Sequence, residues 1–241
     1  MRELSVEEFL TLNNQCGIDP ITNLLCEDRL ERVRQIFRNI EDFCQENESN
    51  LHETVRLVVM VADMKRDRPL VNEVQKEIWG QDGHYPCRTI IQVDYLGDDF
   101  IEIDIVVRKI SENNDPIEFI TPEQSFTPTG TWSLGIKTGE HIFVSGMRGI
   151  SPETNELVIG EAPRVRQAFR NMKIVAEAGG CRITDAIGMV IYVTDEKYLE
   201  IIEMLQKSFW VEKPLPPMTI NIVTALNDND IVEIEGTFAR A

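Results

Sequence analysis

The amino-acid sequence predicts an α+β fold made of two tandem copies of one unit, each a mixed β-sheet covered on one face by two helices. The first observation is a repeat: residues 34–39 (RQIFRN) and 166–171 (RQAFRN) lie 132 positions apart. Residues 101–104 (IEID) and 232–235 (VEIE) keep a near-constant offset, at 131. An offset held over about 70 residues indicates duplication. The second observation is the order of the elements predicted in the second copy: two strands, a helix, a strand, a helix and two strands.

The composition narrows the class of protein. The 241 residues are 42% hydrophobic and 27% charged, as is typical of soluble globular proteins. The net charge is −17 and Lys and Arg do not cluster, so we expect no nucleic-acid partner. No apolar run approaches the length of a membrane span, and the N-terminus does not resemble a secretion signal, so we expect no membrane partner.

The cysteines predict a reducing environment. Their number is odd and none forms a C-x-x-C pair, which favours free thiols, a cytoplasmic location and the absence of a metal site. The three histidines are not spaced as metal ligands either. The cysteines are Cys16, Cys26, Cys44, Cys87 and Cys181.

The first copy, which we expect to span residues 1–115, begins with a predicted short helix over 6–12. Residues 28–44 then place apolar side chains at three- and four-residue spacing, which predicts an amphipathic helix. The continuous apolar run 55–62 predicts a strand buried on both faces. Pro69 fits the first turn of a second helix that ends near Trp79. Polar residues 112–125 are the predicted linker.

Two β-rich segments complete the first copy. Pro86 cannot donate to a ladder, so one strand should begin after it, and residues 101–107 form another. Residues 96–99 predict a turn, and we therefore expect a hairpin that places Arg88 beside Glu102. An arginine can hold a carboxylate through two hydrogen bonds, and a glutamate can position a water or move a proton. The alternative is a purely structural ion pair.

The second copy, expected over residues 126–241, follows the same plan. Its predicted elements are a hairpin of 132–136 and 141–146, a loop over 149–160, a helix from Pro163 to the glycines at 179–180, a strand over 186–194, a helix over 196–210 and a closing hairpin of 219–224 and 231–238.

Residues 85–88 (YPCR), followed by 101–104, resemble the reactive intermediate deaminase family, also called Rid or YjgF, which carries an older endoribonuclease label. The resemblance covers both copies from about residue 29 onward and implies a YjgF-like, or chorismate-mutase-like, unit. In that family the arginine binds the substrate carboxylate and the first glutamate holds the attacking water. The resemblance therefore implies that Arg88 and Glu102 are catalytic.

Other pocket positions are divided between the copies. The first copy keeps Arg88 but has no visible opening hairpin, whereas the second keeps a Ser-Gly hairpin but has Met218 in place of the arginine. We therefore expect one site per chain, assembled from both copies, with Glu233 as a surface or pore-lining carboxylate. Cys87 is interpreted as a packed thiol rather than a nucleophile. The expected substrate-binding residues are Asn72, Tyr85, Cys87, Trp132, Ser145, Gly146 and Arg148.

The resemblance implies a deaminase that hydrolyses the enamine or imine of a small 2-amino acid to the 2-oxo acid and ammonia, without metal or organic cofactor. Divergent members of the family suggest a dicarboxylate of aromatic breakdown, such as 2-aminomuconate. Arg148 would bind its second carboxylate; the alternative is an exposed loop charge. Two other functions stay open, a carboxylate-binding or regulatory module and a structural oligomer. The family forms barrels on oligomerisation, so we expect a trimer or hexamer.

Overall fold

A computed structural model of the chain describes residues 4–5, 7–81, 83–211 and 214–240. The strands are β1 (Phe9–Gln15), β2 (Thr54–Val61), β3 (Cys87–Gln92), β4 (Ile101–Arg108), β5 (Glu118–Ile120), β6 (Gly135–Thr138), β7 (His141–Met147), β8 (Ala186–Val193), β9 (Met218–Ile222), β10 (Ala225–Leu226) and β11 (Val232–Ala239). The α-helices are α1 (Arg29–Glu46), α2 (Met64–Trp79), α3 (Glu161–Ala178) and α4 (Leu199–Phe209).

The predicted α+β architecture of two repeated units is confirmed. One sheet has the strand order β1-β4-β2-β3-β10, and the other has the order β5-β6-β7-β11-β8-β9. Both sheets are mixed, because β2–β3 and β8–β9 pair in parallel while the remaining pairs are antiparallel. Phe37 of α1 and Val71 of α2 share one apolar core with the first sheet, and Phe169 of α3 and Ile202 of α4 share another with the second.

The duplication extends to strand register. Strand β1 pairs with β4 in the register that β7 keeps with β11, since Leu12 faces Ile105 and Val144 faces Gly236. In both pairs the register shifts at the same place, which is residues 13–14 in β1 and 145–146 in β7. A bulge changes the direction in which local side chains point. The bulge in β7 coincides with the Ser-Gly pair identified in the sequence.

The helix predicted over residues 28–44 is confirmed as α1, and the Asp28 carboxylate caps it by accepting a hydrogen bond from the Glu31 amide. The start predicted for α2 was wrong. Asp63 caps this helix by accepting from two backbone amides, so α2 begins at Met64 and Pro69 lies inside it. The cap therefore outweighs the preference of proline for a first turn.

The helix predicted over residues 6–12 is also wrong, although Val6 itself lies outside the described residues. Residues 9–15 form β1, which pairs with the outer edge of β4. Phe9, Leu10 and Leu12 are buried there. Covering an open strand edge favours the extended conformation over the local helical pattern.

Neither of the two hairpins that involve the parallel strands is present. Strand β2 lies between β3 and β4, and β8 lies between β9 and β11. Strand β2 is apolar on both faces, so the central position is where it buries both of them. By contrast, the predicted opening hairpin of the second copy is confirmed as β6–β7. The predicted linker over 112–125 contains β5, which adds a short edge strand to the second sheet.

The two copies join along β3. Strand β10 of the second copy pairs with β3, and Ser133 forms a bridge to Cys87. Beside this seam the buried Glu235 accepts hydrogen bonds from the hydroxyls of Thr89 and Tyr192, at 2.6 and 3.1 Å, and pairs with Arg56. Residues from both copies form these hydrogen bonds with one buried carboxylate, so the bonds fix the relative orientation of the two copies.

Two global findings concern the described part of the chain. No helix in it is long and apolar enough to cross a membrane. Nor do three or more His, Cys, Asp or Glu side chains in it converge as metal ligands.

Candidate active site

A cavity of about 370 Å³ lies between the two copies. The first copy contributes Arg68 and Arg88, and the second contributes Trp132, Gly146, Arg148 and Glu233 among others. A concave pocket with several convergent polar groups is the usual form of a small-molecule site. The predicted sharing of one site by both copies therefore has a structural counterpart.

Arg88 is buried at this seam and held on two sides. Its backbone N–H donates to the Ser145 hydroxyl of the second copy, at 2.9 Å. Its Nη1 donates to Asn72 Oδ1 at 2.7 Å, to Gln75 Oε1 at 2.5 Å and to Thr131 Oγ1 at 3.0 Å. These partners fix the orientation of the guanidinium before any ligand binds.

All three acceptors of the Arg88 side chain are neutral. Within the described residues no carboxylate lies close enough to form an ion pair with it. Burial, reinforced by the positive charge of Arg68, lowers the Arg88 pKa to about 10, while Glu233 opposes this shift. Arg88 thus remains a cation at neutral pH, which suits it to bind an anion.

Glu233, on β11, is a buried carboxyl group that lines the cavity with Arg88; the lining also includes the exposed carboxylates of Glu156 and Asp228. Glu233 is 4% exposed, and its Oε2 has no hydrogen-bond partner among the described residues. Burial raises the Glu233 pKa to about 8; Arg148 lowers it, and Asp230 and Glu235 raise it further. A buried carboxyl group with a pKa near neutrality can both accept and donate a proton.

Gly146 makes room for this carboxyl group. A Cβ atom placed on Gly146 would lie 2.0 Å from Glu233 Oε1. The neighbouring Ser145 donates its hydroxyl to Ser133 O at 2.5 Å while accepting from Arg88. The bulge in β7 therefore lets consecutive residues position Arg88 and accommodate Glu233.

Glu102 does not line the cavity, contrary to the site predicted from the sequence. It lies opposite Met60 on β2, whereas Arg88 lies opposite Leu57. These β2 residues are an odd number of positions apart, so Glu102 and Arg88 point to opposite faces of the sheet. With β2 between their strands, neither the expected pair nor its structural alternative forms in this chain.

Glu233 is the correction to that site. It was expected to be a surface or pore-lining carboxylate, but it is buried beside the cavity. It belongs to the strand that repeats the Glu102 strand, so the buried carboxyl group in the cavity with Arg88 comes from the second copy and not from the first.

Two residues predicted to bind substrate, Cys87 and Tyr85, neither line the cavity nor hold the Arg88 side chain. Cys87 is fully buried, its thiol donates to Phe143 O at 3.1 Å, and burial raises its pKa to about 12. This agrees with the packed thiol that was favoured over a nucleophile. Tyr85 is also buried, and its hydroxyl donates to Gly80 O at 2.6 Å.

The other predicted residues line the cavity or hold Arg88. Trp132 and Gly146 line it, and Asn72 and Ser145 hold Arg88. Arg148 lines it too and is 9% exposed, so it is not an exposed loop charge. The Arg148 guanidinium already donates to Asp228 Oδ2 at 3.0 Å and to Asn227 O at 2.8 Å.

The sequence reasoning missed Arg68, Gln75 and Thr131. One signal was present: Arg68, Asn72 and Gln75 are spaced i, i+4, i+7, which places them on one face of α2. No comparable signal marks Thr131, since it lies on an irregular segment before β6.

The model of one protein family, described as endoribonuclease L-PSP, matches the chain twice, over residues 2–109 and 122–239. A 2-iminobutanoate/2-iminopropanoate deaminase of Dermatophagoides farinae is 31% identical over 121 residues, which are 50% of this chain and 94% of the relative. A RutC family protein of Aquifex aeolicus is 30% identical over 119 residues, or 49% of this chain and 94% of the relative.

Solved structures of relatives also match about half of this chain. A probable translation initiation inhibitor from Rhodopseudomonas palustris is 40% identical, with a TM-score of 0.50, and the match covers 52% of this chain and 98% of the other. The structure of E. coli TdcF with bound serine is 25% identical, with a TM-score of 0.50, covering 52% and 99%. A nearly complete relative therefore corresponds to about half of this chain.

Proposed function

This chain belongs to the endoribonuclease L-PSP family, as a tandem-duplicated member of the Rid or YjgF type, and from that membership we propose that it is an imine deaminase. The proposed reaction converts the imine or enamine of a small 2-amino acid and water into the 2-oxo acid and ammonia. A relative named 2-iminobutanoate/2-iminopropanoate deaminase supports this class of reaction.

The observation that carries the proposal is that Arg88 and Glu233 line the same cavity without forming an ion pair with each other. Arg88 lacks a carboxylate partner among the described residues, and Glu233 Oε2 lacks a hydrogen-bond partner there. Arg88 is therefore suited to bind an anion, and Glu233 is suited to form a hydrogen bond with a polar group such as a water molecule. A 2-imino acid with an attacking water supplies both.

The proposed mechanism follows from these two groups. Arg88 binds the substrate carboxylate and so orients the adjacent C=N carbon. The ionised Glu233 accepts a proton from a water as the water oxygen bonds to the carbon of the protonated imine; the C=N electron pair moves to nitrogen, which gives a neutral carbinolamine. The same carboxyl group then returns that proton to the amine. As the C–N bond breaks, the carbinolamine hydroxyl gives its proton to Glu233, and ammonia takes this proton as it leaves, so that the products are the 2-oxo acid and ammonium and the carboxylate is restored. A pKa near the working pH suits both transfers. No step in this scheme requires a metal or an organic cofactor.

The proposal includes an amino dicarboxylate, such as 2-aminomuconate, as the more specific substrate. The cavity of about 370 Å³ lies within the usual range of small-molecule pockets and has room for such a ligand. A cytoplasmic location and a closed homo-oligomer stay predictions. Since Arg88 and Glu233 belong to the same chain, the proposed chemistry does not depend on oligomer formation.

The test is imine hydrolysis by the purified protein. The imine of 2-aminobutanoate would be generated in situ by an amino-acid oxidase, and ammonia release would be measured above the uncatalysed rate. We expect acceleration by the wild type and loss of it in Arg88→Ala and Glu233→Gln. Binding of 2-oxobutanoate without acceleration of any imine would favour the carboxylate-binding module instead.

A further inference from the structure

Arg68 is a second arginine in the cavity whose charge is not neutralised by a neighbour. It is half-buried, lines the cavity, and no described carboxylate lies within ion-pair distance of it. The i, i+4, i+7 spacing with Asn72 and Gln75 places it on the face of α2 that holds Arg88, one helical turn from Asn72. Its charge is felt by Arg88, whose pKa it lowers.

Two like charges beside one cavity repel each other unless an anion lies between or near them. The chain has 41 acidic and 24 basic residues, so counterions for an arginine are abundant. Arg66, two positions earlier on the same helix, has such a counterion in Asp67, at 2.9 Å. Among the described residues neither Arg68 nor Arg88 has such a counterion, which points to an anionic ligand that contacts both.

The ligand needs more than one acidic group to satisfy both arginines. The Arg88 Nη1 is occupied by three protein acceptors, so the rest of the guanidinium is left for the substrate carboxylate. Arg148 is less suited to bind a second carboxylate, because it already forms an ion pair with Asp228. The positive charge of Arg148 also acts on Glu233, whose pKa it lowers. Arg68 has no such competitor among the described residues.

We propose that Arg68 binds a second carboxylate on the substrate side chain, so that the preferred substrates are imines of acidic 2-amino acids. This inference rests on the proposed function, and it assigns to Arg68 the selectivity that the sequence had suggested for Arg148. Arg68 is a specificity residue here, because the reacting carbon is oriented by Arg88 and not by Arg68.

The experiment compares two imines in two variants. The imines of glutamate and of 2-aminobutanoate differ in side-chain charge, and kcat/KM is measured for each with wild type, Arg68→Gln and Lys65→Gln. Lys65 is the matched control, since it is an exposed cation in the first turn of the same helix and does not line the cavity. Glutamine keeps the helix propensity at both positions, and thermal melts check the fold.

We expect wild type to prefer the glutamate imine, and we expect Arg68→Gln to lower the ratio of the two kcat/KM values by about tenfold, as for loss of a partly desolvated ion pair. Lys65→Gln should leave the ratio unchanged. Equal losses on both imines in Arg68→Gln would mean that Arg68 serves the common carboxylate, which overturns the inference. A wild type without preference for the dicarboxylate also overturns it.

Failure of the proposed function is distinguished by binding. If wild type hydrolyses neither imine, calorimetric titration with 2-oxoglutarate and 2-oxobutanoate replaces the rate ratio. A loss of 2-oxoglutarate affinity alone in Arg68→Gln would retain the second anion site and reject only the reaction. Equal affinities for the two oxo acids in wild type and in every variant would reject both the second anion site and the proposed reaction.

Discussion

Replacing Glu233 by glutamine should stabilise the protein in a pH-dependent way while removing the proposed catalytic carboxyl group. Burial raises the Glu233 pKa from 4.5 to about 8. Between these values the folded wild type holds a proton that the unfolded chain has released. The free energy of unfolding must therefore fall as the pH rises through this window. The glutamine side chain does not titrate, so the free energy of unfolding of the variant does not fall for this reason.

The magnitude follows from the two pKa values. Linkage predicts that the variant gains about 4 kcal/mol of stability relative to wild type between pH 5 and pH 9. That is a large fraction of the stability of an ordinary domain. Urea unfolding of both proteins at the two pH values measures it, and contributions from all other titrating groups cancel in the difference.

The comparison has a built-in control. Glu102 occupies the repeated position in the first copy and is only partly buried, with its pKa raised mainly by burial. Glu102→Gln should show a smaller pH-dependent gain and should retain activity. A stability difference between wild type and Glu233→Gln that is the same at pH 5 and pH 9 would refute the buried neutral carboxyl group and the proton transfers assigned to it.

Three further changes test the site. Arg88→Ala should lower kcat/KM by about a thousandfold, as for loss of a buried charge contact, and should also lower the melting temperature, because the acceptors of Asn72, Gln75 and Thr131 lose their donor. Gly146→Ala should cost at least about tenfold in kcat, because its Cβ overlaps the Glu233 carboxyl group; Gly188→Ala, with nothing within 4 Å of the new Cβ, should be silent in the same assay. Met218→Ala should keep activity within about tenfold of wild type, since a methionine packs rather than binds anions; a folded variant with a larger loss would place the working site in the other half.

Local patterns predicted the elements that are decided locally. The amphipathic stripe of α1 and its Asp28 cap, the apolar run of β2 and the β6–β7 hairpin are all encoded within about 20 residues. The errors arose where distant segments compete. Residues 9–15 are extended because β4 has an edge to cover, and β3 and β4 are separated because β2 gains more by lying between them.

The same competition explains why Arg88 and Glu102 do not lie side by side as expected. Adjacent motifs in the sequence suggested that Arg88 and Glu102 would meet, and an assumed hairpin made that geometry plausible. Parallel pairing of β2 with β3 instead turns the two side chains to opposite faces. Glu233, the buried carboxyl group that does share the cavity with Arg88, lies 145 positions from it in the sequence, and only the docking of the two copies brings them together.

The docking of the two copies also explains why each copy departs from the repeated sequence at particular site positions. A site made from the arginine of one unit and the glutamate of another requires each unit to keep only the half that it contributes. In the proposed site the second copy contributes Glu233 and the Ser145–Gly146 bulge, and Met218 stands where the first copy has its arginine. The first copy contributes Arg88, and residues 13–14 of its bulge are both asparagine where the second copy has Ser-Gly. An asparagine in place of Gly146 adds a side chain at the point where Glu233 requires none. The two departures thus fall on complementary halves, which is what a single shared site within one chain requires.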